Sequence, residues 1–218
     1  MRPPKKAITD PVLRSYLRAR RVPGVSIAVI GIAALSVAIG TWPSRFPTIS
    51  SSPAAQVPFW RMLVIVVAVL PIIALHSSLA DLEIVATRAF RIRQRQYLVA
   101  AALISVASYL AICASVFPTP VIAIMFRGWF GWFGLALLAG ALLGWRLAWT
   151  VPVCTGIVFW YWGFDSNSQQ FHWWEFSARP VLDLPSLLLA VGLVLVGAAA
   201  YAATPWRRRR LLRRRQFD

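Results

Sequence analysis

The sequence predicts an all-α, polytopic integral membrane protein: six transmembrane helices preceded by an N-terminal interfacial amphipathic helix. Of its 218 residues, 59% are hydrophobic and 14% are charged, and its mean hydropathy of +0.65 exceeds that of ordinary soluble domains. Several apolar runs are long enough to cross a hydrocarbon core of about 30 Å as helices. None of them alternates polar and apolar residues as the strands of a membrane barrel do. The α-helix, whose backbone hydrogen bonds are all internal, is then the only structure that can span the lipid.

The predicted domain organisation has three parts. A basic cytoplasmic segment occupies residues 1–24, a transmembrane domain residues 25–206, and an arginine-rich cytoplasmic tail residues 207–218. Within the transmembrane domain the apolar runs predict six spans, at 25–42, 59–80, 97–117, 129–144, 148–162 and 185–203. The fourth and fifth are short, and only three residues separate them.

The N-terminal segment carries a helix start signal. Asp10 can cap free backbone N–H groups, and Pro11 suits the first turn, where its missing N–H costs nothing. Arg14 and Arg18 then recur on one face, which predicts a helix lying in the inner membrane interface. A disordered basic tail is the alternative, because the segment is short.

The formal net charge of +16 is distributed unevenly along the chain. The segments on one side of the predicted spans hold nearly all the basic residues, whereas the other side holds only Arg45, Arg61, Arg127 and Arg179. The positive-inside rule therefore predicts a multi-pass protein of the cell membrane with both termini cytoplasmic. The arginine-rich tail follows a span directly, so we expect its partner to be anionic lipid and not nucleic acid.

Residues 81–96, between the second and third spans, are unusually charged for this chain. The acidic residues lie at the start of the segment and the basic residues at its end, the order that the macrodipole of a helix favours. The segment is longer than a turn requires, and it predicts a cytoplasmic amphipathic helix that binds a partner through Asp81, Glu83, Arg88, Arg91 and Arg95. The alternative is a connector at the interface whose arginines only set the topology.

The longest outward connection, residues 163–184, is rich in aromatic side chains. We predict that it lies at the outer interface as a gate or anchor, because aromatic rings favour the headgroup level. The residues concerned are Phe171, Trp173, Trp174, Glu175 and Phe176. His172 and the nearby acids match no metal-ligand spacing, so no metal site is expected there.

The stretch before the fourth span carries Arg127 and glycines at 128, 131 and 134. It either extends the fourth helix or lies along the outer surface. Arg127 is accordingly either a boundary residue whose head reaches the interface or a buried residue at a polar functional site. Gly140 and Gly144 have the G-x-x-x-G spacing that permits close helix contact.

Enzymatic motifs are not found, so we expect neither catalytic residues nor a cofactor in this chain. There is no G-x-S-x-G, no H-E-x-x-H and no phosphate loop, so any ATP must be bound by another chain. The predicted spans hold essentially no acids, which disfavours an intramembrane enzyme or an ion-driven transporter. Cys113 and Cys154 fall within predicted spans and are expected to be core residues.

The stretches "DLEIVATRAFRIRQRQYL" and "RGWFGWFGLALLAGALLGWRLAWTVP", together with the six-span layout, resemble the permeases of type-2 ABC exporters, of the small kind found in high-GC Gram-positive bacteria. The resemblance implies that residues 81–96 form the coupling helix, that Arg14 and Arg18 belong to the interfacial helix, and that residues 171–176 lie in the outer re-entrant segment. It also implies two kinds of partner: a nucleotide-binding subunit that holds ATP and Mg²⁺, and a second permease chain, identical or related.

The function expected from this resemblance is export of a hydrophobic or amphipathic substrate, driven by a separate ATPase. The alternative is a non-transporting accessory or immunity subunit that binds its partner through the same cytoplasmic helix. The outer segment and the fourth and fifth spans are shorter than in the family. The chain could therefore either line the substrate path or serve as the partner half of a permease that does, and both roles stay open.

Overall fold

The computed structural model describes residues 22–46, 55–74, 88–165 and 170–215. Within these residues the chain is mostly helical, with α1 (Val22–Ile39), α2 (Trp60–Ile73), α3 (Arg88–Cys113), α4 (Thr119–Leu143), α5 (Thr150–Trp162) and α6 (Leu184–Arg215). A 3-10 turn at Trp145–Leu147 joins α4 to α5. Two short antiparallel strand pairs, which the sequence did not predict, are formed by β1 (Pro43–Phe46) with β2 (Ala55–Pro58) and by β3 (Phe164–Asp165) with β4 (Gln170–Phe171).

Three helical stretches are long and apolar enough to cross a membrane: Gln94–Cys113, Thr119–Leu143 and Leu184–Ala203. The prediction of a helical membrane protein is therefore supported, but only three of the six predicted spans meet this criterion. The apolar stretches Gly24–Ile39 and Trp60–Ile73 are shorter. At 1.5 Å per residue, the 14 residues of α2 reach only about 21 Å, less than the hydrocarbon thickness. The predicted second span continues beyond the described residues, and the predicted helix at Arg14 and Arg18 lies outside them.

Successive helices run in alternating directions, which gives the bundle two distinct ends. The Trp60 amide donates to the Gly40 carbonyl at 3.1 Å, so α2 begins where α1 finishes. At the other end, the rings of Trp145 and Tyr201 have centroids 5.4 Å apart. We call the end that carries residues 163–183 the loop end. We call the other the basic end, because α3 begins there at Arg88 and α6 finishes there at Arg215.

Helix α4 is the centre of the bundle, and α6 lies on its outside. Of the spanning stretch in α4, 61% is buried within the chain, against 17% for the stretch in α6. The two helices approach closely where each has a glycine. A Cβ on Gly134 would lie 2.4 Å from the Leu193 carbonyl carbon, and one on Gly197 would lie 2.4 Å from the Gly134 oxygen. Only glycine permits this distance between backbones.

The G-x-x-x-G spacing at Gly140 and Gly144 permits close helix contact, but within the described part of the chain these two glycines do not pack against another helix. Gly144 has φ of +99° and ends α4, with open space around it, while a Cβ on Gly140 would lie 2.3 Å from the Trp145 ring. These glycines serve a helix end and a tight turn. Their spacing alone does not distinguish that use from helix pairing.

Several element boundaries differ from the predicted ones. Helix α4 begins at Thr119, so the stretch before residue 129 extends the fourth helix. Residues 88–96 continue into the third helix without a break, where a separate coupling helix at 81–96 was expected; residues 81–87 lie outside the described part. Helix α6 includes the arginine-rich tail as far as Arg215. Cys113 is buried as expected, but Cys154 is exposed.

Candidate functional site

Between α5 and α6 the structure describes residues 163–165 and 170–183, and these residues fold back against the loop end of the bundle. The first of them form the β3–β4 pair, in which Phe164 pairs with Phe171. The chain then makes consecutive turns, closed by bonds from the Glu175 amide to the His172 carbonyl (3.0 Å) and from the Ala178 amide to the Glu175 carbonyl (3.2 Å). We call residues 163–165 and 170–183 the loop segment.

A buried ion pair attaches the loop segment to α2. The Arg61 guanidinium donates to the Glu175 carboxylate, and their side chains are 3% and 0% exposed. The Ser177 hydroxyl donates to the same carboxylate oxygen at 2.9 Å and accepts a bond from Arg61 at 3.1 Å. The Phe171 ring lies 5.1 Å from the guanidinium carbon, a cation–π contact. The pair therefore joins two elements that are 114 residues apart in sequence.

Phe176 inserts into the bundle beside the ion pair. Its ring packs against Trp132 of α4 and Phe159 of α5, with centroid distances of 4.8 and 5.3 Å. A Cβ on Gly131 would lie 2.2 Å from the Phe176 ring, so the absence of a side chain on Gly131 makes the space that the ring fills. The centre of the loop end is thus filled by aromatic side chains.

Arg127 holds the loop segment from the α4 side. Its Nε donates to the Phe176 carbonyl at 2.8 Å and its NH1 to the Pro180 carbonyl at 2.7 Å, while NH2 donates to the Arg179 carbonyl. Arg127 is only 4% exposed. Arg127 was predicted to be either a boundary residue or a buried one. It is buried, and its hydrogen-bond partners are backbone carbonyls.

The end of the loop segment starts α6. Asp183 accepts a bond from the Ser186 amide at 3.1 Å, which is a helix N-cap, and from the Ser186 hydroxyl. Arg179 donates to the same carboxylate at 2.8 Å and to the Phe171 carbonyl at 2.9 Å. The hydrogen bonds that Asp183 accepts lower its pKa from 3.8 to about 2, and the bond from Arg179 has the largest effect.

Asp183→Ala is expected to lower the free energy of unfolding by about 0.5 to 2 kcal/mol at neutral pH, as removal of an N-cap does. Because the folded pKa of Asp183 is depressed to about 2, its charge stabilises the fold fully above about pH 4, and this contribution is lost as the pH falls toward 2. Thermal unfolding of the purified chain across this range measures both effects. Asp183→Asn is the matched control, since it keeps a cap but not the charge. An Asn variant as sensitive to acid as the wild type would contradict the assignment.

Four buried polar atoms have no hydrogen-bond partner within the described part of the chain: Arg61 Nε, Glu175 Oε2, Trp129 Nε1 and Trp132 Nε1. Two of them belong to the ion pair, so the pair is not fully satisfied. Among the same residues, no group of three or more His, Cys, Asp or Glu side chains could hold a metal ion.

In comparisons with known proteins, the sequence matches no protein family, and no curated protein and no solved structure is significantly similar to this chain.

The predicted outer residues divide into two groups. Glu175 and Phe176 are buried in the bundle and not exposed as anchoring side chains would be, and their predicted role as an outer gate or anchor stays a prediction. Trp173 is 61% exposed, and Phe171 and Trp174 are partly buried. The physical reason is that the glycines of α4 create a space for one ring, and Arg61 supplies the counter-charge for the acid.

The predicted coupling residues are described only in part. Asp81 and Glu83 lie outside the described residues, and Arg88 and Arg91 lie in the first turns of α3. Arg95 is exposed on the same helix. Their predicted role in binding a partner stays a prediction.

Sequence reasoning missed Arg61 and Ser177 as site residues. Arg61 was counted only as an outward charge, although it stands at the start of a strongly apolar run. An arginine so placed indicates a buried counter-charge elsewhere in the chain. The glycines at 128, 131 and 134 were a second signal: Gly128 faces Ser177, Gly131 faces Phe176 and Gly134 faces α6.

Proposed function

We propose that this chain is the permease subunit of an ABC-type exporter, working with a second permease chain and a separate ATPase. The main support is the closed loop end, where the segment between the fifth and sixth helices is held inside the bundle by the Arg61–Glu175 pair and by Arg127. An exporter that opens toward one side of a membrane needs such a closure on that side.

The distribution of charge supports the direction of this proposal. Helix α3 starts with Arg88, Arg91 and Arg95 at the basic end, and α6 finishes there with its arginines. Basic residues mark the cytoplasmic side of membrane proteins. We therefore assign the basic end to the cytoplasm, where an ATPase would bind, and the loop end to the outside.

The packing of the bundle suggests where the substrate would pass. Trp132, Phe159 and Phe176 fill the centre of the loop end, so a path through this single chain is blocked in this conformation. The stretch Leu184–Ala203 of α6 is apolar and mostly unburied. We infer that a hydrophobic or amphipathic substrate would move along a surface shared with the second permease chain.

Co-purification tests the ATPase partner. A tagged copy, expressed with its neighbouring genes and extracted in mild detergent, is expected to recover a phosphate-loop ATPase. Arg88→Glu and Arg91→Glu should each reduce the recovered ATPase at least tenfold. Arg45→Glu is the matched control, because it makes the same charge change in β1, at the loop end. Recovery of no ATPase, or equal loss in all three variants, would overturn the proposal.

The second candidate, a non-transporting accessory or immunity subunit, is favoured by the same filled interior, which needs no opening to hold a partner. Reconstituted vesicles separate the two functions. Vesicles that hold a permease together with its ATPase should show ATP hydrolysis that a hydrophobic or amphipathic substrate stimulates. An accessory subunit should bind its partner without such stimulation.

A further inference from the structure

A groove between α4 and α6 lies beside Arg127 at the loop end. It has a volume of about 320 Å³ and is lined by Ala123, Phe126 and Phe130 of α4 and by Leu187 and Val191 of α6, with Val181 at its loop end. This volume is within the range of small-molecule sites, about 300 to 1,000 Å³. Arg127 supplies the charged side chain of an otherwise apolar wall.

The positive charge of Arg127 is not neutralised by an ion pair among the described residues. Its three hydrogen-bond acceptors are neutral carbonyls, of Phe176, Arg179 and Pro180. Its charged neighbours, Arg179 and Asp183, are paired with each other at 2.8 Å. In contrast, Arg61 has its own carboxylate in Glu175. The groove therefore carries a net positive charge at one end.

The guanidinium of Arg127 extends toward the lipid headgroups from inside the hydrocarbon region. It lies eight residues after Thr119, the first residue of α4, which is about 12 Å along the helix axis. Helix α4 has 25 residues and is about 37 Å long, several ångströms more than a hydrocarbon core. Helix α4 exceeds the core by only about 7 Å, so the backbone of Arg127 lies within the hydrocarbon region. Because helical side chains tilt toward the helix N-terminus, the guanidinium is directed toward the loop end, where it bonds the carbonyls of Arg179 and Pro180.

We propose that this groove binds one anionic phospholipid, with its phosphate facing Arg127 and one acyl chain lying between α4 and α6. The charge selects an anion, and the apolar wall selects a chain. Basic pockets between transmembrane helices bind anionic headgroups at the cytoplasmic side of membranes, and Arg127 offers the same electrostatic attraction at the loop end. The site rests only on the chain being in a membrane, and it needs no ATPase partner.

Native mass spectrometry of the full chain, released from micelles doped with phosphatidylglycerol or with phosphatidylcholine, tests the site. The wild type is expected to retain one phosphatidylglycerol at least tenfold more tightly than phosphatidylcholine. Arg127→Gln should lose this preference. Ala123→Phe, which fills the groove without changing the hydrogen bonds of Arg127, should lose the bound lipid of either kind.

Controls keep the result interpretable. Ala107→Phe, an exposed alanine of α3, should retain lipid as the wild type does. If Arg127→Gln fails to give a monodisperse protein, Ala123→Phe decides alone. Equal retention of the two lipids by the wild type, or no loss with Ala123→Phe, would overturn the proposal. Displacement of the lipid by inorganic phosphate would show a simple anion site, and lipid loss on formation of a dimer would show that a second copy occupies the groove; either result would also overturn it.

Discussion

Glu175→Gln is expected to lower the free energy of unfolding by about 3 to 5 kcal/mol, the largest effect of any single substitution considered for this protein. Glutamine keeps the size of the side chain but removes its charge, so Arg61 would be left buried with no counter-charge. The two side chains are 3% and 0% exposed, so water cannot compensate. Thermal unfolding in detergent, followed by the fluorescence of the 11 tryptophans, measures the loss.

A double variant distinguishes the charge from the packing. Arg61→Met combined with Glu175→Met should recover most of the stability, because exchanging both members of a buried ion pair for apolar side chains is often neutral or stabilising. Arg179→Gln is a control at the partly exposed pair with Asp183, where about 1 kcal/mol or less is expected from the ion pair itself. A Glu175→Gln variant within 1 kcal/mol of the wild type would contradict a buried pair.

The same substitution bears on the proposed closure. In the wild type, the Arg61–Glu175 pair ties the loop segment to α2. We expect limited proteolysis of Glu175→Gln to cleave within residues 163–183 faster than in the wild type, at a temperature where both remain folded. If cleavage instead spreads evenly over the chain, the pair supports the whole bundle and not this segment in particular.

Gly134→Ala is the second substitution with a large expected effect. The new methyl group would lie 2.4 Å from the Leu193 carbonyl carbon, a backbone atom of α6 that no rotamer change can move. The helices must then separate, and we expect a loss of about 1 to 3 kcal/mol, typical of an overpacked interface. Gly197→Ala should have a similar effect, because its methyl group would lie 2.4 Å from the Gly134 oxygen.

Gly192→Ala is the matched control for this contact. It lies on α6 as Gly197 does, but nothing lies within 4 Å of its Cβ position. We expect its stability to equal that of the wild type or to exceed it by up to about 1 kcal/mol, as alanine favours the helix. The Gly134→Ala, Gly197→Ala double variant should cost less than the sum of the single changes, since both disturb one contact. Equal stability of all these variants would show that α4 and α6 do not meet as described.

The environment of Arg127 could be predicted from the sequence only in part. Its position before an apolar run predicted either a surface residue or a buried one, and both readings satisfy hydropathy equally well. The decision depends on the carbonyls of residues 176, 179 and 180. These are offered by a loop about 50 residues further along the chain, and carbonyls leave no trace in side-chain composition.

The sequence by itself determined the class of the protein. Its composition and apolar runs predicted helices that suit a membrane, and its basic residues predicted two unlike ends. Both predictions come from sums over the residues of the chain and do not depend on which segments meet. Only the tertiary structure decided that Arg61 pairs with Glu175, that Phe176 fills the space at Gly131, and that Gly134 and not Gly140 marks the helix contact. These contacts join segments that are distant in the sequence. Shape and charge in three dimensions decide which of those segments pack together, and a local sequence pattern does not contain that information.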